Sequence, residues 1–264
     1  MKTRVITAVV GLPLLILLIW LGGWWLTACV LFLSVVGIYE YAKAVGTGLE
    51  RPVSLPLIIT LTVVLLLVMN FDYYAMVPYL VASVMICLCW EVFTAREFER
   101  AAYTIFGLMY VPMMFGYLML FQNLRNGEYF IWMVFVAAFS TDTFAYLVGR
   151  MLKGKKLAPD ISPNKTISGS VGGLVASVVL MTVYGLVMTK AFGISIPLWA
   201  YAALGGAASV AGQLGDLSAS LIKRRFNVKD FGKILPGHGG ILDRFDSVLF
   251  IIPIVYLFAV LMNG

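Results

Sequence analysis

The chain has 264 residues, of which 61% are hydrophobic and 12% charged, and its formal net charge is +6. A soluble domain runs at about 45–50% apolar and about 25% charged, so the charged side chains here are too few to build a polar shell and a water-soluble globule is excluded. Lipid is the expected main solvent. The three cysteines, Cys29, Cys87 and Cys89, lie inside apolar runs, so no disulfide framework is indicated.

A bilayer core about 30 Å thick needs roughly 17–25 apolar residues per helical crossing, and every backbone polar group must be bonded within the segment. Nine runs meet or approach this: Val5–Leu21, Trp24–Ala44, Leu55–Met69, Tyr74–Val92, Tyr103–Phe121, Tyr129–Val148, Val171–Ala191, Leu198–Ser218 and Ser247–Met262. The third is short and the last three carry polar residues. Lys2 and Arg4 before the first run, with Leu26-Thr27-Ala28-Cys29 after it, imitate a cleaved lipoprotein leader. Membrane-grade sequence continues beyond Cys29, so the first run is kept as a span.

With the N-terminus placed in the cytoplasm, seventeen of the nineteen Lys and Arg residues fall on the inner side. Only Arg125 and Lys190 fall outside. One missed crossing would invert every later loop, so this bias supports an odd span count, with the C-terminus on the opposite side. The expected fold is an all-α polytopic membrane protein of about nine helices in the cell membrane. Residues 1–128 form a scaffold of spans one to five. Residues 129–264 form a catalytic region of spans six to nine, with inner loops 149–170 and 219–246.

The first half keeps its ionisable residues at span ends, where insertion energetics allow them. Glu40, near Lys43, and Glu91 read as interfacial charges. The second half differs, because carboxylates enter the spans. Asp142 lies in span six, about 12 Å of helix from Arg150 at its inner end. Asp216 lies near the inner end of span eight, with Gln213 and Ser220 on the same helix face. A carboxylate at such depth is costly unless paired, hydrated or bound to a cation. The bland reading is an Asp paired with a neighbouring helix.

After span six, Gly149-Arg150-Met151-Leu152-Lys153-Gly154-Lys155-Lys156 nearly spells a phosphate-binding loop. It lacks the closing hydroxyl residue and follows a membrane helix rather than a strand. Ser162-Pro163-Asn164-Lys165-Thr166 then leads through Ser168 and Gly169 into span seven, where backbone N–H groups and a positive helix end can meet an anion.

The densest polar stretch runs from Ser220 to Ser247. Cations precede a turn made by Pro236, Gly237, Gly239 and Gly240, and Asp243 and Asp246 follow at an i, i+3 spacing on the expected start of the last helix. Two carboxylates so placed repel unless something positive sits between them, and a divalent metal is the economical answer. A juxtamembrane loop holding anionic lipid would explain the cations alone. Carboxylates for a hard cation, a basic cluster and glycine-rich backbone are the equipment of phosphoryl or nucleotidyl transfer. No zinc-binding pair or serine–histidine set accompanies them, and no nucleic-acid partner is indicated.

From Ser220 to Asp246 the chain resembles the signature of the phosphatidate cytidylyltransferase (CDP-diacylglycerol synthase) family. The matching elements are Ser220, Lys223-Arg224, Lys229-Asp230, Gly232, Pro236, His238-Gly239-Gly240, Asp243-Arg244 and Asp246. The segments Asp142-Thr143-Phe144-Ala145-Tyr146 and Ser162–Thr166 are similar to further motifs of that family. Ser168 departs from it, standing where members commonly carry a glutamate.

The resemblance implies transfer of a cytidylyl group from CTP to phosphatidic acid, giving CDP-diacylglycerol and pyrophosphate, with Mg²⁺ and possible use of a second cation, at the cytoplasmic face of a homodimer among membrane lipids. On that reading Asp216, Asp243, Asp246 and, more weakly, Asp142 hold metal. Lys223, Arg224, Lys229, Asp230, His238 and Arg244 belong to the catalytic set. Ser162, Asn164, Lys165, Thr166, Ser220, Gly239 and Gly240 bind substrate. His238, the single histidine, fits a phosphate or turn-stabilising hydrogen bond better than proton transfer. A CTP-dependent polyprenol or phytol kinase is the alternative enzyme, and an ion-coupled transporter using Asp142 and Asp216 the alternative non-enzyme, although no internal repeat supports it. The chain contains no Asp-Gly dipeptide, which a CDP-alcohol phosphotransferase would need.

Overall fold

The computed structural model describes residue 13, residues 16–234 and residues 239–263. Most of the first expected span, with Lys2 and Arg4, and the signature residues Pro236, Gly237 and His238 lie outside the described residues. The chain is an all-α polytopic membrane protein. Its helices in order are α1 (Gly23–Gly46), α2 (Leu55–Phe71), α3 (Met76–Phe93), α4 (Phe98–Leu108), α5 (Met114–Leu120), α6 (Gly127–Leu152), α7 (Ile167–Phe192), α8 (Leu198–Arg225) and α9 (Leu242–Asn263). A π-helical stretch, Met109–Met113, joins α4 to α5 around Pro112. Proline has no N–H for the ladder, and the wider turn absorbs that loss.

The eight apolar runs beyond the first each coincide with helix. Among the described residues six helices are long and apolar enough to cross a membrane, counting α4 to α5 as one and α3 with its preceding turn. The helix α2, of 17 residues, is shorter. The helix α8 spans 28 residues but is rich in Gly, Ala and Ser and is not among the six. One segment departs from expectation. Residues after α6 form an antiparallel hairpin of β1 (Lys156–Ala158) and β2 (Ser162–Thr166), with Lys156 opposite Thr166 and Ala158 opposite Ser162. The expected loop is therefore ordered by backbone pairing, and α7 starts four residues before Val171.

The described chain forms two compact units. The first holds residues up to Gln122 together with Ile222–Phe245, and the second holds Asn123–Leu221 with Asp246 onward. In the first unit α1 packs on α2, α4 and the π-helical stretch. Gly107 sits under the Tyr41 ring, where a Cβ would come within 2.5 Å of Cε1. Absence of a side chain is what allows this approach. Glu91 and Arg100 form a buried ion pair at 3.2 Å across the α3–α4 turn. The segment after Ile222 joins this unit at Phe226: the Thr47 hydroxyl donates to the Phe226 carbonyl at 2.9 Å, and the Phe226 ring lies edge-on to Tyr103 at 5.4 Å.

The second unit is built on the extensively packed α6–α7 pair. Gly173 lies against the Thr141 carbonyl, where a Cβ would stand 2.7 Å away. The α7–α8 seam is equally close: Ser177 Oγ donates to the Gly205 carbonyl at 2.9 Å. Small residues in α8 are thus packing devices, which leaves its larger polar residues, Gln213 and Asp216, for other work.

Candidate active site

Within the second unit, α6, the hairpin, the start of α7 and the inner end of α8 surround a cavity of about 760 Å³. Two carboxylates and four cations face it: Asp142, Asp216, Arg150, Lys153, Lys156 and Lys165. Each position has a local cause. Asp142 lies two helical turns before Arg150, so both reach the same side of α6. The left-handed backbone of Lys153, φ 51°, ends α6 and turns the chain into the hairpin. Pairing of Lys156 with Thr166 brings the second strand back beneath Gly149, and Asn164, Lys165 and Thr166 all line the cavity.

Thr166 caps α7: its Oγ1 accepts from the Gly169 N–H at 3.1 Å. Such a cap satisfies one of the helix's unpaired donors and fixes the entry of the chain. Ser168 Oγ donates to the Lys153 carbonyl at 2.6 Å. Ser168 therefore ties the end of α6 to the start of α7.

Lys165 Nζ stands 2.6 Å from Asp216 Oδ2, with the two side chains 25% and 32% exposed. Asp142 Oδ2 accepts from Ser247 Oγ at 3.1 Å on α9. Gln213 is held by Ser170, whose hydroxyl donates to Oε1, while Gln213 Nε2 donates to Ser209 Oγ at 3.2 Å. Gly215 lies against the Asp246 carbonyl, so α8 and α9 touch beside Asp216. The Ser247 N–H donates to Asp246 Oδ1 at 2.8 Å. Among the described residues no three His, Cys, Asp or Glu side chains are grouped to hold a metal by themselves. The two carboxylates that line the cavity, Asp142 and Asp216, instead offer oxygen ligands. That chemistry suits Mg²⁺, which takes one or two carboxylates and completes its shell with phosphate oxygens and water.

The described signature residues between 222 and 245 belong to the first unit. Lys223 Nζ donates to Asp243 Oδ1 at 2.7 Å, and Asp243 Oδ2 accepts from the N–H groups of Phe231 at 2.8 Å and Gly240 at 3.0 Å. The Asp243 side chain is 4% exposed. Its two oxygens are thus engaged by three donors, and it anchors its own loop. Lys223, expected to hold phosphate, is committed to that anchor and lies over the Phe231 ring at 5.3 Å. Arg224, Lys229, Asp230 and Arg244 are exposed. Ser220 is half-buried, and Ser162 pairs with Ala158 in the hairpin; neither lines the cavity. Gly239 has a left-handed φ of 84° and packs on Asp243.

Two features were not legible as functional. Arg150, Lys153 and Lys156 were hidden among positive-inside charges, and only the hairpin register gathers them. Glu40 is 2% exposed rather than interfacial and accepts from the Ile241 and Leu242 N–H groups at 3.2 and 3.0 Å. The signal available for it was the pair Gly232 and Gly240, which implies that something bulky presses on that loop.

The description "Cytidylyltransferase family" belongs to the family model that matches residues 2–262. A Staphylococcus saprophyticus protein named phosphatidate cytidylyltransferase is 35% identical over 262 residues, covering 97% of each chain. A Bacillus subtilis protein of the same name is 34% identical over 273 residues, covering 100% of this chain and 99% of its own. With matches of this length, the chain belongs to the cytidylyltransferase family, alongside the phosphatidate cytidylyltransferases, and is a membrane-embedded nucleotidyltransferase.

Proposed function

We propose that this chain transfers the cytidylyl group of CTP to phosphatidic acid at the cytoplasmic face of the cell membrane, in a Mg²⁺-dependent reaction. The single observation that carries the reading is the cavity of the second unit, where Asp142 and Asp216 face Arg150, Lys153, Lys156 and Lys165. Carboxylates and cations lining one space suit a ligand that is itself a cation–polyanion pair.

A phosphate monoester has its second pKa near about 6, so the lipid phosphate is largely dianionic at neutral pH and already nucleophilic. No general base is required. The work of the site is to bring two anions together and align them. Lys165, Lys153, Lys156 and Arg150 hold the triphosphate and the lipid headgroup; Arg224, Lys229 and Arg244 are assigned to phosphate by the signature. A phosphatidate oxygen forms a bond to the α-phosphorus of CTP as the bond from that phosphorus to the bridging oxygen breaks, and pyrophosphate leaves with the electron pair. No proton changes hands in that displacement.

Asp216, Asp246 and Asp142 are the residues that would hold Mg²⁺, which would supply charge neutralisation to the phosphates. Lys165 exchanges its contact with Asp216 for a substrate phosphate, a switch that a partly exposed ion pair permits at low cost. Asp243 is assigned to holding the signature loop.

The test supplies purified protein with Mg²⁺, phosphatidic acid in mixed micelles and CTP labelled at the α-phosphate. Label in a CDP-lipid, with equimolar pyrophosphate, is expected. Label released as CDP with a phosphorylated polyprenol or phytol would identify a lipid kinase instead, and absence of either product would overturn the reading.

A further inference from the structure

The carboxylate of Glu40 is buried within α1, and a buried carboxylate is tolerated only where its oxygens are satisfied. Both oxygens here meet backbone donors 201 and 202 residues further along the chain: Oε1 accepts from Ile241 and Oε2 from Leu242. These N–H groups sit at the start of α9. A helix leaves its first donors without internal partners, and its N-terminus favours negative charge. Glu40 is therefore an N-terminal cap for α9 supplied from a different helix.

Two glycines make room for it. A Cβ on Gly232 would collide with the Glu40 carboxylate, and so would one on Gly240. Both glycines lie in the segment that carries the family signature. Neither has a left-handed backbone, so the requirement is space and not conformational freedom. Asp243 completes the arrangement from inside the loop by bonding Lys223, Phe231 and Gly240. Glu40 and Asp243 thus hold the same short segment from two sides, and that segment carries Arg244.

We infer that Glu40 is a positioning residue for cytidylyl transfer: through the Ile241 and Leu242 N–H groups it fixes the Gly239–Arg244 segment in the arrangement the reaction uses, without itself touching substrate. The inference rests on the reaction proposed above. Glu40→Gln retains one acceptor but turns an N–H donor toward the second backbone N–H. Glu40→Ala removes both acceptors and opens the space beside Gly232.

The experiment compares full-length wild type, Glu40→Gln, Glu40→Ala, Gly232→Ala and the double variant Glu40→Ala/Gly232→Ala in detergent. It reads kcat and KM for CTP per folded molecule, together with amide hydrogen exchange at residues 239–245. Leaving a buried donor unsatisfied predicts a kcat loss of about tenfold or more in Glu40→Gln, with KM for CTP within about threefold and faster exchange at Ile241 and Leu242. Gly232→Ala alone loses activity to a similar degree. The double variant is no worse than Glu40→Ala, because the methyl group then enters vacated space and the two losses do not multiply.

Wild-type kcat per folded molecule in both Glu40 variants overturns the inference, as does unchanged exchange at Ile241 and Leu242. Multiplicative losses in the double variant overturn it too. If wild type itself forms no CDP-lipid, the proposed reaction fails, while the exchange arm still decides whether Glu40 caps α9.

Discussion

Four acidic side chains in this protein follow two different designs. In the first unit, Glu40 and Asp243 are buried, and between them they accept four backbone N–H groups and one lysine. In the second unit, Asp142 and Asp216 face a cavity, where Asp142 accepts from a serine hydroxyl and Asp216 pairs with a lysine. Backbone donors are fixed by the fold, so a carboxylate saturated by them cannot leave without unpairing buried groups. A carboxylate held by a long, partly exposed lysine can exchange that partner for a metal or a phosphate-bound cation. The same residue type thus builds a loop in one unit and is available for chemistry in the other. Residue type alone does not separate the roles; the nature of the hydrogen-bond donor does.

If the cavity carboxylates serve the chemistry, Asp216 is indispensable. Asp216→Asn is expected to lower kcat by about 10²–10³-fold, the scale of removing one preorganised electrostatic contact from a transition state, with little change in melting temperature. A thermal melt beside a turnover assay checks both halves. Asp243→Ala should show the reverse emphasis. Breaking a buried ion pair while leaving Lys223 in place costs about 3–5 kcal/mol, so the melting temperature and the folded yield fall together with activity.

A smaller effect sharpens the account of the cations. Lys165→Gln is expected to raise KM for CTP by about tenfold, in line with one charge-assisted contact, and to leave the hairpin intact by circular dichroism. Raising ionic strength should weaken CTP binding in wild type, since exposed charges lose most of their attraction beyond about 8 Å at 0.15 M salt, and the salt slope should be shallower in Lys165→Gln. The smallest effect serves as a control. Arg51 and Glu97 form an exposed pair at 3.7 Å, with Arg51 64% exposed, and Arg51→Ala should change stability by no more than about 0.5 kcal/mol.

The helices were readable from the sequence because lipid leaves the chain few alternatives: runs such as Gly23–Gly46 and Ile167–Phe192 must close their own backbone bonds. Asp142, Asp216, Lys165 and Thr166 were readable because a carboxylate within an apolar run, or a hydroxyl just before one, needs a reason. The hairpin was not. Ser162-Pro163-Asn164-Lys165-Thr166 has no alternating apolar pattern, and its pairing with Lys156 depends on the left-handed turn at Lys153. Glu40 escaped notice because its partners lie some 200 residues away and are backbone groups, which carry no residue-type signal. The i, i+3 spacing of Asp243 and Asp246 suggested one shared metal and carried no sign that Asp243 also accepts from the backbone of its own loop.

The division between a structural and a chemical pair of carboxylates is tested most directly by metal capture. Mn²⁺ substituted for Mg²⁺ gives an electron paramagnetic resonance signal that reports bound metal in the presence of CTP. The account predicts that wild type and folded Asp243→Asn capture Mn²⁺ with CTP and that Asp216→Asn does not. Capture that survives in Asp216→Asn but disappears in folded Asp243→Asn would contradict it.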